Sequence, residues 1–232
     1  MSRPKSTIAD QIGAAQLAID NSLSDDEIKT LVAAYGYNAA KLLEGKQFLG
    51  AAQTAVALQE RASGAQQNAT LAFNAAKTQA VDAYQALAKV ARAVIGFGDL
   101  AGLSLDGPMP RGATAFQTAA RSLFTNAAAL PLLAQYGYDD ARFQAESAKL
   151  AAFDDANDRQ EKAKGAAQQA TLEQDAALEA LNRWAAQYVK IARVALRAKP
   201  QLLEKLGVVA RTSPTAAQRA ARKKDTTTSP TS

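Results

Sequence analysis

Residues 35–97 read YGYNAAKLLEGKQFLGAAQTAVALQERASGAQQNATLAFNAAKTQAVDAYQALAKVARAVIGF, and residues 136–198 read YGYDDARFQAESAKLAAFDDANDRQEKAKGAAQQATLEQDAALEALNRWAAQYVKIARVALRA. Both open on Tyr-Gly-Tyr, lack proline, and are rich in Ala and Gln. Sliding the chain by 101 positions aligns them without a gap, with 23 identities in the 62 positions from Leu31 to Arg92. Ten of these are Ala pairs, so the other 13 carry the argument, among them Gln59/Gln160, Glu60/Glu161, Gly64/Gly165, Leu71/Leu172, Lys89/Lys190 and Arg92/Arg193. A single register over this length reads as a tandem duplication. Two copies are too few for an open solenoid, which favours a closed, pseudo-symmetric pair.

Each copy keeps a heptad phase. In the first, one seam runs Leu42, Leu49, Val56, Ser63, Thr70, Lys77, Tyr84, Ala91, and a second runs Gly45, Ala52, Gln59, Gln66, Phe73, Ala80, Leu87, Val94. The phase passes through Gly64, which predicts one helix from Asn38 to Phe97 spanning about 90 Å. The alternative is a hairpin turning at Arg61 to Asn68. That segment lacks the Pro, Asp and Ser clusters of turns, which favours the continuous helix. The expected fold is therefore all-α: an elongated bundle of two tandem pseudo-symmetric repeats with long antiparallel, coiled-coil-like helices.

The flanking sequence fits this plan. Residues 1–6 read as a flexible N-terminus, 7–107 as the first repeat, 108–209 as the second in one shared bundle, and 210–232 as a disordered basic tail. Ile8, Ile12, Ala15 and Ile19 share a helical face, and Asn21 to Ser24 should break that helix. Ser24 to Glu27 resembles a capping box. Gly36 and Gly137 stand where a helix ends in a left-handed residue, with Asn38 and Asp139 as N-caps of the long helices. Gly96 to Gly112, with five glycines and two prolines, is the joint. Leu130-Pro131 and Pro200 open short helices.

Composition narrows the chemistry. The 232 residues include no Cys and no His, which removes thiolate nucleophiles, the usual general base near neutral pH and the commonest transition-metal ligand. No N-terminal apolar run suits a signal peptide, and nothing approaches the ~20 apolar residues of a membrane span. A cytoplasmic protein without membrane insertion is the expectation. Of the net +5, the tail supplies +4 through Arg211, Arg219, Arg222, Lys223 and Lys224 against Asp225.

Four constellations are candidates for function. Gly64 and Gly165 suggest a close crossing of the long helices. Gln59, Gln67 and Thr70, with Gln160, Gln168 and Thr171, suggest a polar layer that fixes register or holds a small ligand. Lys89/Arg92 and Lys190/Arg193 are candidate anion sites, or cations placed to suit helix C-termini; antiparallel pairing would bring the first pair toward Asp139 and Asp140. Asp154, Asp155 and Asp158 read as a solvated acidic face, because carboxylate-bridged metal bundles use His as well. No cofactor, metal or catalytic residue is expected. The function expected is that of a non-enzymatic structural or protein-interaction bundle that binds a protein partner or itself. The alternative is nucleic-acid association, or another acidic partner, through the basic tail. Lipid binding is disfavoured by the near-neutral body.

Overall fold

The computed structural model describes residues 6–96, 100–105 and 107–208. The basic positions Arg211, Arg219, Arg222, Lys223 and Lys224 lie outside them. The described chain is helical without a strand: α1 (Ile8–Ser24), α2 (Asp26–Ala33), α3 (Ala39–Val94), α4 (Ala113–Ala128), α5 (Asp140–Ala195) and α6 (Pro200–Lys205). Single 3-10 turns lie at Ala101–Leu103 and Pro131–Tyr136. The long helices α3 and α5 each have 56 residues and run unbroken through Gly64 and Gly165, which excludes the hairpin.

Side-chain and backbone chemistry sets the helix ends. Thr7 opens α1 with a reciprocal box: its Oγ1 accepts from Asp10 N at 3.1 Å, and Asp10 Oδ2 accepts from Thr7 N at 3.0 Å. The box is here and not at Ser24. Helix α1 also runs through Asn21–Ser24, where a break was expected. Ser22 Oγ donates back to the Ala18 carbonyl, and Asn21 Nδ2 donates to the Lys205 carbonyl, so these polar side chains are satisfied inside the helix. Asp25 then caps α2, its Oδ1 accepting from Glu27 N and Ile28 N at 3.0 and 3.1 Å.

At the end of α2, Gly36 has φ +87°, Tyr37 N donates to Val32 O and Gly36 N to Ala33 O, the paired bonds of a Schellman motif. The Pro131–Tyr136 turn closes identically at Gly137, φ +81°, with Tyr138 N on Leu133 O. Asn38 Oδ1 accepts from Lys41 N, and Asp139 Oδ1 from Arg142 N, opening the long helices. Two further ends use the same bonding, at Gly207 and at Ser104. Ser104 is the one described non-glycine residue with positive φ, at 56°.

The chain divides into two compact units. Of the described residues, the first holds 6–56 and 173–208 and the second those between 57 and 172, so each draws on both long helices. In the first unit, α3 supplies Leu42, Leu49 and Ala52, α5 supplies Leu178, Leu181, Trp184 and Tyr188, and α1, α2 and α6 close the core with Ile19, Ile28, Val32 and Leu202. In the second, α3 supplies Ala80, Ala83, Tyr84 and Leu87, α5 supplies Phe143, Leu150 and Phe153, and α4 adds Phe116, Leu123 and Phe124. Within each unit α3 and α5 pack antiparallel: Tyr37 meets Tyr188 and Gly45 meets Trp184 in one, and Thr70 meets Gln160 and Phe73 meets Phe153 in the other.

Between residues 53 and 79 no residue of α3 is fully buried, while its heptad residues Gln59, Ser63, Gln66, Thr70 and Phe73 are half-buried. Helices joined by Ala, Ser and Gln remove little apolar surface from water, so the large anchors elsewhere supply most of the packing energy.

The glycine that the packing requires is Gly45. A Cβ there would lie 2.7 Å from Trp184 Cε2 and nearer still to Cζ2 and Cη2. At Gly64 and Gly165 a Cβ would meet nothing within 4 Å, so the tight backbone contact expected at them is not present. Opposite effects follow. Gly45→Ala should destabilise by about 1–3 kcal/mol through overpacking against the indole. Gly64→Ala and Gly165→Ala should each stabilise by roughly 0.5–1 kcal/mol, the mid-helix cost of glycine. Denaturant unfolding of the three variants checks the signs; destabilisation by Gly64→Ala would restore the crossing.

Candidate functional site

The polar residues singled out by sequence divide in the structure. Gln160 Nε2 donates to Thr70 Oγ1 at 3.4 Å, but Thr70 also donates back to the Gln66 carbonyl, and Thr171 to the Ala167 carbonyl. Gln67 and Gln168 are exposed. A continuous polar layer is not formed, because the register that brings Thr70 to Gln160 turns Gln67 and Gln168 to solvent. Asp154 pairs with Arg121 of α4, and among the described residues no acidic group has the arrangement to hold a metal ion.

The two cation pairs also part ways. Arg92 donates from Nη2 to the Leu105 carbonyl at 3.2 Å, tying the loop after α3 to that helix. No ion pair joins Lys89 or Arg92 to Asp139 or Asp140; Asp139 serves α5 as its cap. Lys190 and Arg193 instead flank an open groove of about 830 Å³ in the first unit. Its floor is Ala14, Ala15 and Ala18 of α1 with Ala185, Ala186 and Val189 of α5, and Leu206 to Val208 border it. Asn182 Nδ2 donates to Gln11 Oε1 at 2.5 Å and joins the two helices beside the groove. Sequence reasoning selected the cations but not the groove, since its apolar floor is alanine, which looks the same in a packed seam.

The core of the first unit also holds an aromatic cluster. Trp184 stacks on Tyr188 with centroids 5.3 Å apart, and Tyr37 meets both rings. The Tyr188 hydroxyl is hydrogen-bonded to Ser22 Oγ, whereas the buried Trp184 Nε1 has no partner. Burial raises the Tyr188 phenol above its ordinary value of 10.0, against the opposing hydrogen bond from Ser22. Burial likewise raises Tyr37, Tyr84 and Tyr138. At the surface, the hydrogen bond with Lys205 lowers Asp25, helped by the Ile28 amide, and Asp25 raises Lys205. The hydrogen bond with Thr7 lowers Asp10.

A second, smaller cavity of about 380 Å³ in the other unit is lined by Val94, Ile95, Leu103, Leu130 and Leu132 with Asn126 at its side. Its described lining carries no charged group. No described helix is long and apolar enough to cross a membrane. Comparison of the chain with protein-family models, with curated proteins and with solved structures gives no match.

The raised phenols fix a sign. A folded state that binds the proton more tightly keeps its stability below pH 10.0 and loses it as pH climbs through the raised values. Tyr188→Phe should keep neutral-pH stability within about 1 kcal/mol, since Ser22 retains the Ala18 carbonyl, and should reduce the alkaline loss by up to one proton. Unfolding free energy measured from pH 7 to 11 checks this; an unchanged alkaline slope would place the titrating groups elsewhere.

Proposed function

We propose that the chain is a non-enzymatic protein-interaction bundle, built by tandem duplication around a coiled-coil-like pair of long helices. It binds a helix of a partner protein along exposed faces of α3 and α5. The observation that carries this reading is Leu71 and Leu172. They are the same residue at positions 101 apart, yet 68% and 65% exposed. Neither packs a core, so retention of leucine in both copies has no structural job within the chain. Leu58 is half exposed nearby in sequence. On the helix surface Leu71 is flanked by Gln67, Asn68, Asn74 and Ala75 and Leu172 by Gln168, Gln169, Asp175 and Ala176, and one apolar anchor in a polar face suits a second helix whose side chains fit between such rows. The absence of His and Cys from the sequence, and the structural roles of the shifted carboxylates and phenols, support a role without catalysis.

A second reading rests on the tail, where five cations face one acid between residues 211 and 232. Nucleic-acid affinity carried there would fall steeply with salt, as counterion release requires.

The double variant Leu71→Glu/Leu172→Glu should keep wild-type helicity and melting temperature, because both side chains are exposed, and should lose the partner that wild-type protein captures from its native cell. Capture that survives the double variant overturns the helix-face reading. Capture lost only on truncation to 1–210, together with bound nucleic acid, supports the tail instead.

A further inference from the structure

The groove beside Lys190 and Arg193 has an internal reference in the other unit. There, Tyr84 of α3 and Phe116 of α4 are both buried, their rings edge to face with centroids 5.5 Å apart. Residues 101 positions away are Ala185 and Ala15, and both line the groove. The offset is the right one for α1 and α4 as well: buried Ile19 and Ser22 stand 101 positions before buried Ala120 and Leu123. Two aromatic side chains that fill one unit are thus replaced by two methyl groups in the other, where Ala15 is buried, Ala185 is half-buried, and the groove runs beside them along the exposed Ala14 and Ala186.

The charges differ in the same sense. Arg92, in the filled unit, spends its guanidinium on the Leu105 carbonyl. Its counterpart Arg193 borders the groove together with Leu206, the counterpart of Leu105, and has no hydrogen bond or ion pair among the described residues. Lys190 is equally unpaired. The one acid on the groove, Asp10, is held by Thr7 at the start of α1 and forms an ion pair with neither cation. An apolar floor beside two unengaged cations favours a ligand with an apolar body and a negative end.

We infer that this groove is a binding site for a small amphipathic anion, an aromatic or short aliphatic body carrying one carboxylate. The body lies along Ala14, Ala185 and Ala186, beside the positions that carry rings in the other unit, and the carboxylate reaches Lys190 and Arg193. A volume of about 830 Å³ suits such a molecule, since ligand pockets run from about 300 to 1,000 Å³. Arg193 offers the planar fork that matches a carboxylate, and Lys190 a mobile point charge. The site and the Leu71/Leu172 faces are independent; either stands without the other.

Calorimetric titration of the full chain with 2-naphthoate, and with 2-naphthylmethanol as its uncharged analogue, tests the site. One saturable site per chain is expected, with naphthoate bound at least roughly tenfold more tightly. Lys190→Gln/Arg193→Gln should abolish that preference and leave the alcohol unchanged. Ala185→Tyr, which places at a half-buried lining position the ring that the other unit carries, should abolish both. Should that variant fail to fold, Ala14→Trp fills the groove from an exposed position and should also abolish binding. No saturable binding of naphthoate, equal binding of the two probes, or wild-type binding in a groove-filled variant overturns the proposal.

Discussion

The Trp184 ring occupies the space where residue 45 would carry a side chain, and this contact states the rule that the packing obeys. Helix α3 brings small residues and α5 brings large ones. Among positions 101 apart that are buried in both helices, Ala52/Phe153, Ala80/Leu181, Ala83/Trp184, Leu42/Phe143 and Leu87/Tyr188 have the larger residue in α5, and Leu49/Leu150 and Ala91/Ala192 are unchanged. Two helices of the α3 type would leave methyl-sized and larger voids, each costing on the order of 1 kcal/mol or more. Two of the α5 type would collide. Steric volume therefore selects α3 against α5, although their heptads are alike. The same asymmetry explains why an Ala-rich chain has a core at all: the few aromatic residues are placed where a small partner admits them.

Burying those rings leaves a polar cost. Tyr138 Oη and Trp184 Nε1 have no hydrogen-bond partner, at about 1–3 kcal/mol for each orphaned group. Tyr188 avoids that cost because α1 brings Ser22 to its hydroxyl. Arg142 lies over the Tyr138 ring at 4.2 Å and donates to the Gly137 carbonyl, so the cation braces the turn without satisfying the phenol. Apolar ring contact outweighs hydroxyl satisfaction at these positions, which is the usual balance when an aromatic side chain buries most of its surface.

The helices and their ends were legible in the sequence; the contacts between them were not. Heptad phase and missing turn chemistry were enough for two long helices, because both are properties of one segment read alone. Tyr-Gly-Tyr was readable for the same reason, since a left-handed glycine and its following residue bond only to the turn before them. Register is different, because it depends on residues far apart in the chain. Matching the helix midpoints would set Thr70 about two turns from where Gln160 meets it, and that error carried attention to Gly64 and away from Gly45. A glycine in a pattern does not reveal its own reason; the indole that comes against Gly45 is 139 positions later. The polar layer failed on the same point.

One pair runs against the size rule, buried Tyr84 against half-buried Ala185, accompanied in α4 and α1 by Phe116/Ala15. At the other positions buried in both long helices, α5 carries the larger or the same residue. Here α5 and α1 both bring alanine, and the groove borders both. Leaving an apolar floor open forgoes about 25 cal/mol for each Å² that a ring would have covered. Trp184 and Tyr188 on the same helix carry more bulk than Ala83 and Leu87, the residues 101 positions before them. The reversal coincides with the only Lys-Arg pair of the two whose arginine is not tied to a carbonyl. An unfilled apolar floor and unengaged cations, both departures from the packing of the other unit, converge on one groove, and a ligand that supplies ring and charge together accounts for both.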